Sequence, residues 1–181
     1  MATHFSTAEL EASLDEIRRS PAEVGGLRLI VRRPAVNERE ELTVGELNVE
    51  LGLVGDTWKG SKWEKPDNQI TLMNSRAVER IAGSRERWAL AGDQLYVDFD
   101  LSAANLPTGT RLAIGTAVLE ITAEPHTGCG KFRSRFGGDA LAFVNSAEGR
   151  ALNLRGIYAR VVVPGRACVG DEIRKIGAKE A

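Results

Sequence analysis

The stretch Pro125-His126-Thr127-Gly128-Cys129-Gly130-Lys131-Phe132-Arg133-Ser134-Arg135-Phe136-Gly137 concentrates the groups in this chain that can do chemistry. Cys129 stands between two glycines, so no neighbouring side chain shields its sulfur and main chain can approach a bulky group closely. His126, Lys131, Arg133 and Arg135 lie near it in sequence. Cations beside a thiol favour the thiolate, which is both the nucleophile and the metal-binding form. From His126 to Arg166 the basic residues Lys131, Arg133, Arg135, Arg150, Arg155, Arg160 and Arg166 face only Asp139 and Glu148. A chain with a formal net charge of -1 has gathered its positive charge here. Spacing alone leaves two readings open. Cys129 is either an accessible thiolate in an anion-binding site or a small loop residue beside an ordinary solvated basic face. His126 either orients Cys129 or a ligand, or is a satisfied structural histidine. Asn145 either reaches a ligand or closes a short helix. Cys168, between Ala167 and Val169, reads as a buried apolar filler.

The elements that must position these groups read as mainly β. Ser6 and Glu9 form a capping-box pattern, and Leu10, Leu14 and Ile17 fall on one helical stripe that ends near Ser20, before Pro21. Residues 1–24 therefore form an amphipathic extension. Strands are expected over 27–33, as one or two within 41–54, and over 70–73, 95–101, 111–114, 117–123, 157–163 and 172–176. Asn74 or Ser75 opens a helix buried through Val78, Ile81 and Ala82, and another starts at Asp139. Strand and turn spacing of this kind suits an all-β barrel or sandwich with a few peripheral helices. Residues 25–176 form one domain and 177–181 a tail. The polar segment 56–69 carries Trp58 and Trp63, which either stack on a planar ligand or plug the end of a barrel.

Composition narrows the function classes. At 181 residues, 43% hydrophobic and 27% charged, the chain needs no metal or disulfide for its core. Its balanced charge gives no global attraction to nucleic acid, and no apolar run is long enough to span a bilayer. Two cysteines and no basic-then-apolar leader point to reduced thiols in the cytoplasm. Gly55 and Gly60 are spaced like a phosphate-binding loop, but Ser61 and Lys62 follow in the wrong order, and two histidines cannot make a paired-histidine zinc motif. Asp98 and Asp100 share a strand face and read as solvated rather than as an acid/base pair.

The stretch from Pro125 to Phe132, then Arg135-Phe136-Gly137, Phe143-Val144-Asn145, Leu154-Arg155-Gly156-Ile157, Ala159-Arg160-Val161-Val162, Gly165 and Gly170-Asp171, resembles the MOSC domain, the C-terminal domain of molybdenum cofactor sulfurases. Gly55-Asp56 and Gln69-Ile70-Thr71-Leu72-Met73 agree with it. The resemblance implies a MOSC-like β-barrel with a single site cysteine, here Cys129. It implies one of two activities. The first is binding of molybdenum cofactor (molybdopterin) and reduction of N-hydroxylated compounds with electrons from a donor protein. The second is a sulfur (persulfide) carrier or cofactor-binding module that exchanges with a sulfur donor or acceptor protein and turns over no small molecule. A barrel without cofactor is the third possibility. A thiolate suits a sulfur-rich molybdenum, and Lys131, Arg155 and Arg160 are expected to hold the pterin phosphate, with His126 and Asn145 nearby and Trp58 and Trp63 lining the substrate opening. Arg155→Ala is then expected to weaken cofactor retention and leave the fold intact. The chain carries no pyridoxal phosphate domain with which to extract sulfur itself.

Overall fold

The computed structural model describes residues 4–177; of the expected tail, 178–181 lie outside the described residues, as do residues 1–3. Its strands are β1 (Val24–Arg32), β2 (Glu40–Leu42), β3 (Val44–Asn48), β4 (Gly52–Leu53), β5 (Ile70–Asn74), β6 (Leu95–Asp98), β7 (Arg111–Ile114), β8 (Ala117–Ile121), β9 (Ile157–Val163), β10 (Gly165–Cys168) and β11 (Glu172–Ile176). The helices are α1 (Thr7–Glu11), α2 (Leu14–Arg18), α3 (Ser75–Ala82), α4 (Gly130–Asn145) and α5 (Ala147–Ala151), with 3-10 turns at Pro66–Asn68 and Arg85–Ala91.

Seven strands close a barrel in the order β11-β7-β8-β9-β5-β6-β1, and β1 meets β11 again through Val24↔Arg174 and Gly26↔Glu172. Closure leaves the barrel itself without a free edge. Neighbours are antiparallel except β5 and β6, which α3 joins as a parallel pair. Strand β2 extends the sheet beyond β1, and β10-β3-β4 form a separate small sheet. The barrel is one of the two architectures that the strand spacing suited and the one that the family resemblance implied.

The strands that carry helices are buried on both faces. Leu27, Ile30, Ile70, Leu72, Leu95 and Val97 point into the barrel core. Leu29, Val31, Met73 and Tyr96, from the same three strands, point outward into a second core made with the helices. The side-chain period of two sends alternate residues to opposite faces, and a bulge between Leu27 and Leu29 resets that alternation within β1.

The N-terminal segment belongs to the second core. Ser6 and Glu9 form the capping box expected of them, but the helix splits into α1 and α2, with Ser13 buried between and donating through Oγ to the Leu10 carbonyl. Leu10, Leu14 and Ile17 pack with residues of α3 and α4. Asn74 caps α3 by accepting from the Arg76 and Ala77 amides. The helix expected at Asp139 starts earlier. Helix α4 begins directly after Cys129 and is interrupted at Gly137, whose φ of 93° departs from helical geometry. A Cβ there would stand 2.9 Å from the His4 ring.

Leu10 is 1% exposed, so Leu10→Ala opens a cavity in the helical core. We expect urea denaturation to show a loss of about 2–5 kcal/mol; a loss below about 0.5 kcal/mol, the range of surface substitutions, would mean that α1 is only appended.

Candidate functional site

The barrel registers bring one end of four strands together. Ile30 pairs with Leu95, Leu95 with Leu72 and Leu72 with Ile157. Arg33 follows the end of β1, Asp93 comes two residues before β6, and Tyr158 lies one residue into β9. Arg33 and Tyr158 floor a cleft of about 520 Å³, walled by the 56–69 loop and by the start of α4, with Asp93 fully buried behind the lining. Cys129, His126, Lys131, Arg155, Trp58 and Trp63, six of the residues singled out by sequence, all line it. Burial by strands on one side and helix on the other makes it a concave site of ordinary ligand size.

Cys129 is exposed and stands at the N-cap of α4. Its two glycines do different jobs. Beside Gly130 there is open space, whereas a Cβ on Gly128 would come within 2.7 Å of Leu141 and 3.0 Å of Val144. Gly128 lets the loop lie against the second half of α4. Asn145 fixes it there, accepting from the Gly128 amide at 2.9 Å and donating to its carbonyl at 3.3 Å. Asn145 thus acts on the cysteine loop from behind and does not line the cleft.

Arg160 also lies elsewhere. It points from β9 to Glu120 at 2.6 Å and Asp67 at 3.6 Å, on a half-exposed face. Proximity in sequence suggested a ligand contact; Arg160 shares a face of β9 with the cleft residue Tyr158 but stands two residues further along the strand, where Glu120 and Asp67 hold its guanidinium outside the cleft lining.

Arg155 lines the cleft, yet the residue is only 7% exposed and its guanidinium is bound internally. Its Nη1 meets Asp93 Oδ2 at 2.6 Å, its Nη2 donates to the Ala91 carbonyl at 3.0 Å, and its plane lies over Phe132 at 5.1 Å. This corrects the expectation that its loss leaves the fold intact, because Asp93 is fully buried.

Sequence reasoning missed Arg33, Arg39, Asp56, Asp93 and Tyr158, which the fold supplies from far along the chain. Arg33 forks onto Asp56 at 2.8 and 2.7 Å, and Asp56 also accepts from the Arg33 and Trp58 amides. The one local signal was the bulky Arg32-Arg33 pair at the end of an apolar strand.

Four arginines converge on one stretch of main chain. Arg39 Nε donates to the Ala89 carbonyl at 3.2 Å, Arg135 Nη1 to Leu90 at 2.8 Å, Arg155 Nη2 to Ala91 at 3.0 Å and Arg33 Nη1 to Gly92 at 3.1 Å. These carbonyls close the 3-10 turn Arg85–Ala91, where helix ends leave acceptors unfilled. With Lys131 they make five cations on the cleft lining, which includes no Asp or Glu among the described residues. Burial, then the charges of Arg135 and Arg33, pull the affinity of Arg39 for its proton down.

His126 adds no charge at neutral pH. Burial, followed by Arg155 and Arg33, holds its imidazole well below the usual histidine range. Its ring packs on Tyr158 at 4.4 Å. His126 Nδ1 and Asp93 Oδ1 face each other at 3.6 Å without a hydrogen bond. Trp58 is buried in the wall with its Nε1 donating to Asn68 at 2.8 Å, while Trp63 is 71% exposed at the rim under Lys62. The two tryptophans do not jointly plug the barrel. Asp98 pairs with Arg28 and Arg76 on the far side of β6 and takes no part, and Cys168 is half-buried away from the cleft.

The family model for the MOSC domain matches residues 60–174. Among solved structures, the YUAD protein from Bacillus subtilis superposes with a TM-score of 0.61 at 20% identity, over 83% of this chain and 94% of that one. YiiM from Escherichia coli gives a TM-score of 0.56 at 19% identity, over 84% of this chain and 70% of that one. At such identities these likenesses speak for the fold. No curated protein matches the sequence. No helix among the described residues is long and apolar enough to cross a membrane.

Two outcomes follow from the buried charges. Arg155→Ala strands Asp93 and is expected to lower unfolding stability by about 3–5 kcal/mol in chemical denaturation; a surface arginine would cost under about 1 kcal/mol. For His126, the unfolded chain takes up a proton near its ordinary value of about 6.5 and the folded chain does not. Stability is therefore lost as pH falls through that value, and Tm should drop more steeply between about pH 7 and about pH 5 in the wild type than in His126→Gln. Parallel curves for the two proteins would refute the neutral, buried imidazole.

Proposed function

This chain belongs to the MOSC domain family, whose model spans more than half of its 181 residues, and from that premise we propose that the cleft holds a molybdenum cofactor through Cys129 and serves the reduction of N-hydroxylated compounds. One observation carries the reading: the exposed thiol of Cys129 opens into the same cleft as Arg39, Lys131 and Arg135, with no carboxylate among the described lining residues.

The residues present suit such a group. A thiolate is a soft anionic donor, matched to a molybdenum already held by a dithiolene, and the open space beside Gly130 leaves the sulfur approachable. The cofactor's phosphate calls for charge-assisted donors, which the arginine fork provides. When bound, the cofactor supplies the two-electron redox chemistry, and the polypeptide supplies position and electrostatics. Cys129 offers the anionic sulfur, and Arg39, Arg135 and Lys131 offer hydrogen bonds to anionic oxygens. His126 keeps the floor neutral, and Tyr158, whose phenol burial and then Asp93 push upward, stays protonated as a donor. Buried Trp58 limits water on one wall, while Val36 and Trp63, 78% and 71% exposed, give the mouth an apolar rim for a substrate's carbon skeleton. The overall conversion takes up two electrons and two protons and releases an amine or amidine and water. The electrons come from a donor protein.

The exposure of Cys129 also favours a second reading, a persulfide carrier, because a carrier sulfur must be reached by another protein. Purification from a cofactor-producing host separates the two. We expect close to one molybdenum per chain by elemental mass spectrometry, lost in Cys129→Ala while the circular dichroism spectrum is kept. Metal-free wild-type protein carrying extra sulfur on Cys129 in peptide mass spectra would favour the carrier and set the reductase aside.

A further inference from the structure

Of the four guanidiniums anchored on residues 89–92, two are neutralised by buried acids. Arg33 forks onto Asp56, and Arg155 holds Asp93. Arg39 and Arg135 meet no carboxylate among the described residues; each is fixed through main-chain carbonyls, Arg39 to Ala89 and Glu38 and Arg135 to Leu90. Such bonds orient a guanidinium and leave its charge uncompensated. A planar fork with five donors keeps others free after one or two are spent. One nitrogen of each comes near the same spot: Arg39 Nη2, which makes none of those bonds, and Arg135 Nη1, which spends one of its two N–H donors on Leu90. Arg39 Nη2 and Arg135 Nη1 lie 3.6 and 3.7 Å from the place where a Cβ on Gly92 would stand. Gly92 has a φ of +92°, so the turn favours glycine, and the missing side chain leaves the space between the two cations open. Holding like charges this close is unfavourable unless an anion joins them.

We propose that Arg39 and Arg135 form a subsite over Gly92 for a phosphate monoester or a similar tetrahedral dianion. The pair provides two positive charges and forked donors aimed at one point, which matches a group with two negative charges and several acceptor oxygens. Of Lys131, Arg155 and Arg160, the residues first expected to hold phosphate, the two arginines are occupied by carboxylates and Lys131 lines the same cleft. The subsite rests on the reading above only for the carrier of the phosphate, which is either the pterin cofactor or another phosphate ester.

The test is isothermal titration of the purified full-length chain with inorganic phosphate at fixed ionic strength, before and after loading with cofactor. One saturable site is expected in the unloaded protein. Arg39→Gln and Arg135→Gln should each weaken it about tenfold, the loss of a charge-assisted hydrogen bond. Arg39→Lys and Arg135→Lys should fall between, because charge is kept and the fork is lost. Arg133→Gln, on the same helix but outside the cleft, should bind as the wild type does. If the glutamine variants unfold, the lysine variants carry the comparison. Absence of a saturable site, or equal weakening by Arg133→Gln, overturns the subsite. Loss of inorganic phosphate binding on loading identifies the cofactor as the carrier, and retention together with a bound phosphate ester identifies another ligand. Phosphate binding through the pair in protein that never acquires molybdenum upholds the subsite and overturns the cofactor reading. Normal molybdenum content with no phosphate site does the reverse.

Discussion

The main-chain carbonyls of residues 89–92 are the constraint around which the cleft is built. A 3-10 turn that ends without continuing into a helix leaves acceptor capacity on its last carbonyls, Ala89 accepting also from the Gly92 amide, and here each receives a guanidinium from a different part of the chain: the end of β1, the loop before β2, the first half of α4 and the turn before β9. Carbonyl oxygens attract cations but do not cancel their charge. Two buried acids, Asp56 and Asp93, therefore sit behind Arg33 and Arg155. The front pair stays uncompensated, and that asymmetry gives the cleft its character. The barrel's role is to bring β1, β6 and β9 to one end so that these side chains can meet.

Much of the fold was legible in the sequence. Alternation and turn residues marked the strands, and β9 matched its expected bounds of 157–163. The helical side was harder. Strands β1, β5 and β6 are apolar on both faces because helices cover the outside, so periodicity announces burial without saying what lies on each side. The first half of α4 escaped notice because Gly128, Gly130 and Gly137 read as loop, although a glycine at an N-terminus or at a break is compatible with helix on either side.

The site was half legible. Cys129, His126 and Lys131 lie within six residues and share a recognisable segment, so local reading found them. Arg33, Arg39, Asp56 and Asp93 are tens of residues away, and beyond the Arg32-Arg33 pair and the Gly55-Asp56 match nothing in their neighbours ties them to the cysteine segment. Arg33, Arg39 and Asp56 also precede residue 60, where the family match begins. Arg160 shows the opposite error. It shares a face of β9 with the cleft residue Tyr158, and a rise of about 7 Å over two residues is enough to carry it past the cleft to Glu120 and Asp67.

Anchoring through main-chain oxygens has an evolutionary corollary. The acceptors at positions 89–91 belong to atoms that every amino acid possesses, so a substitution at the exposed Leu90 can alter the letter in the sequence without altering the acceptor. Related chains could diverge along this turn and still assemble the same arginine cluster, and a comparison of letters alone would pass over the scaffold that organises it.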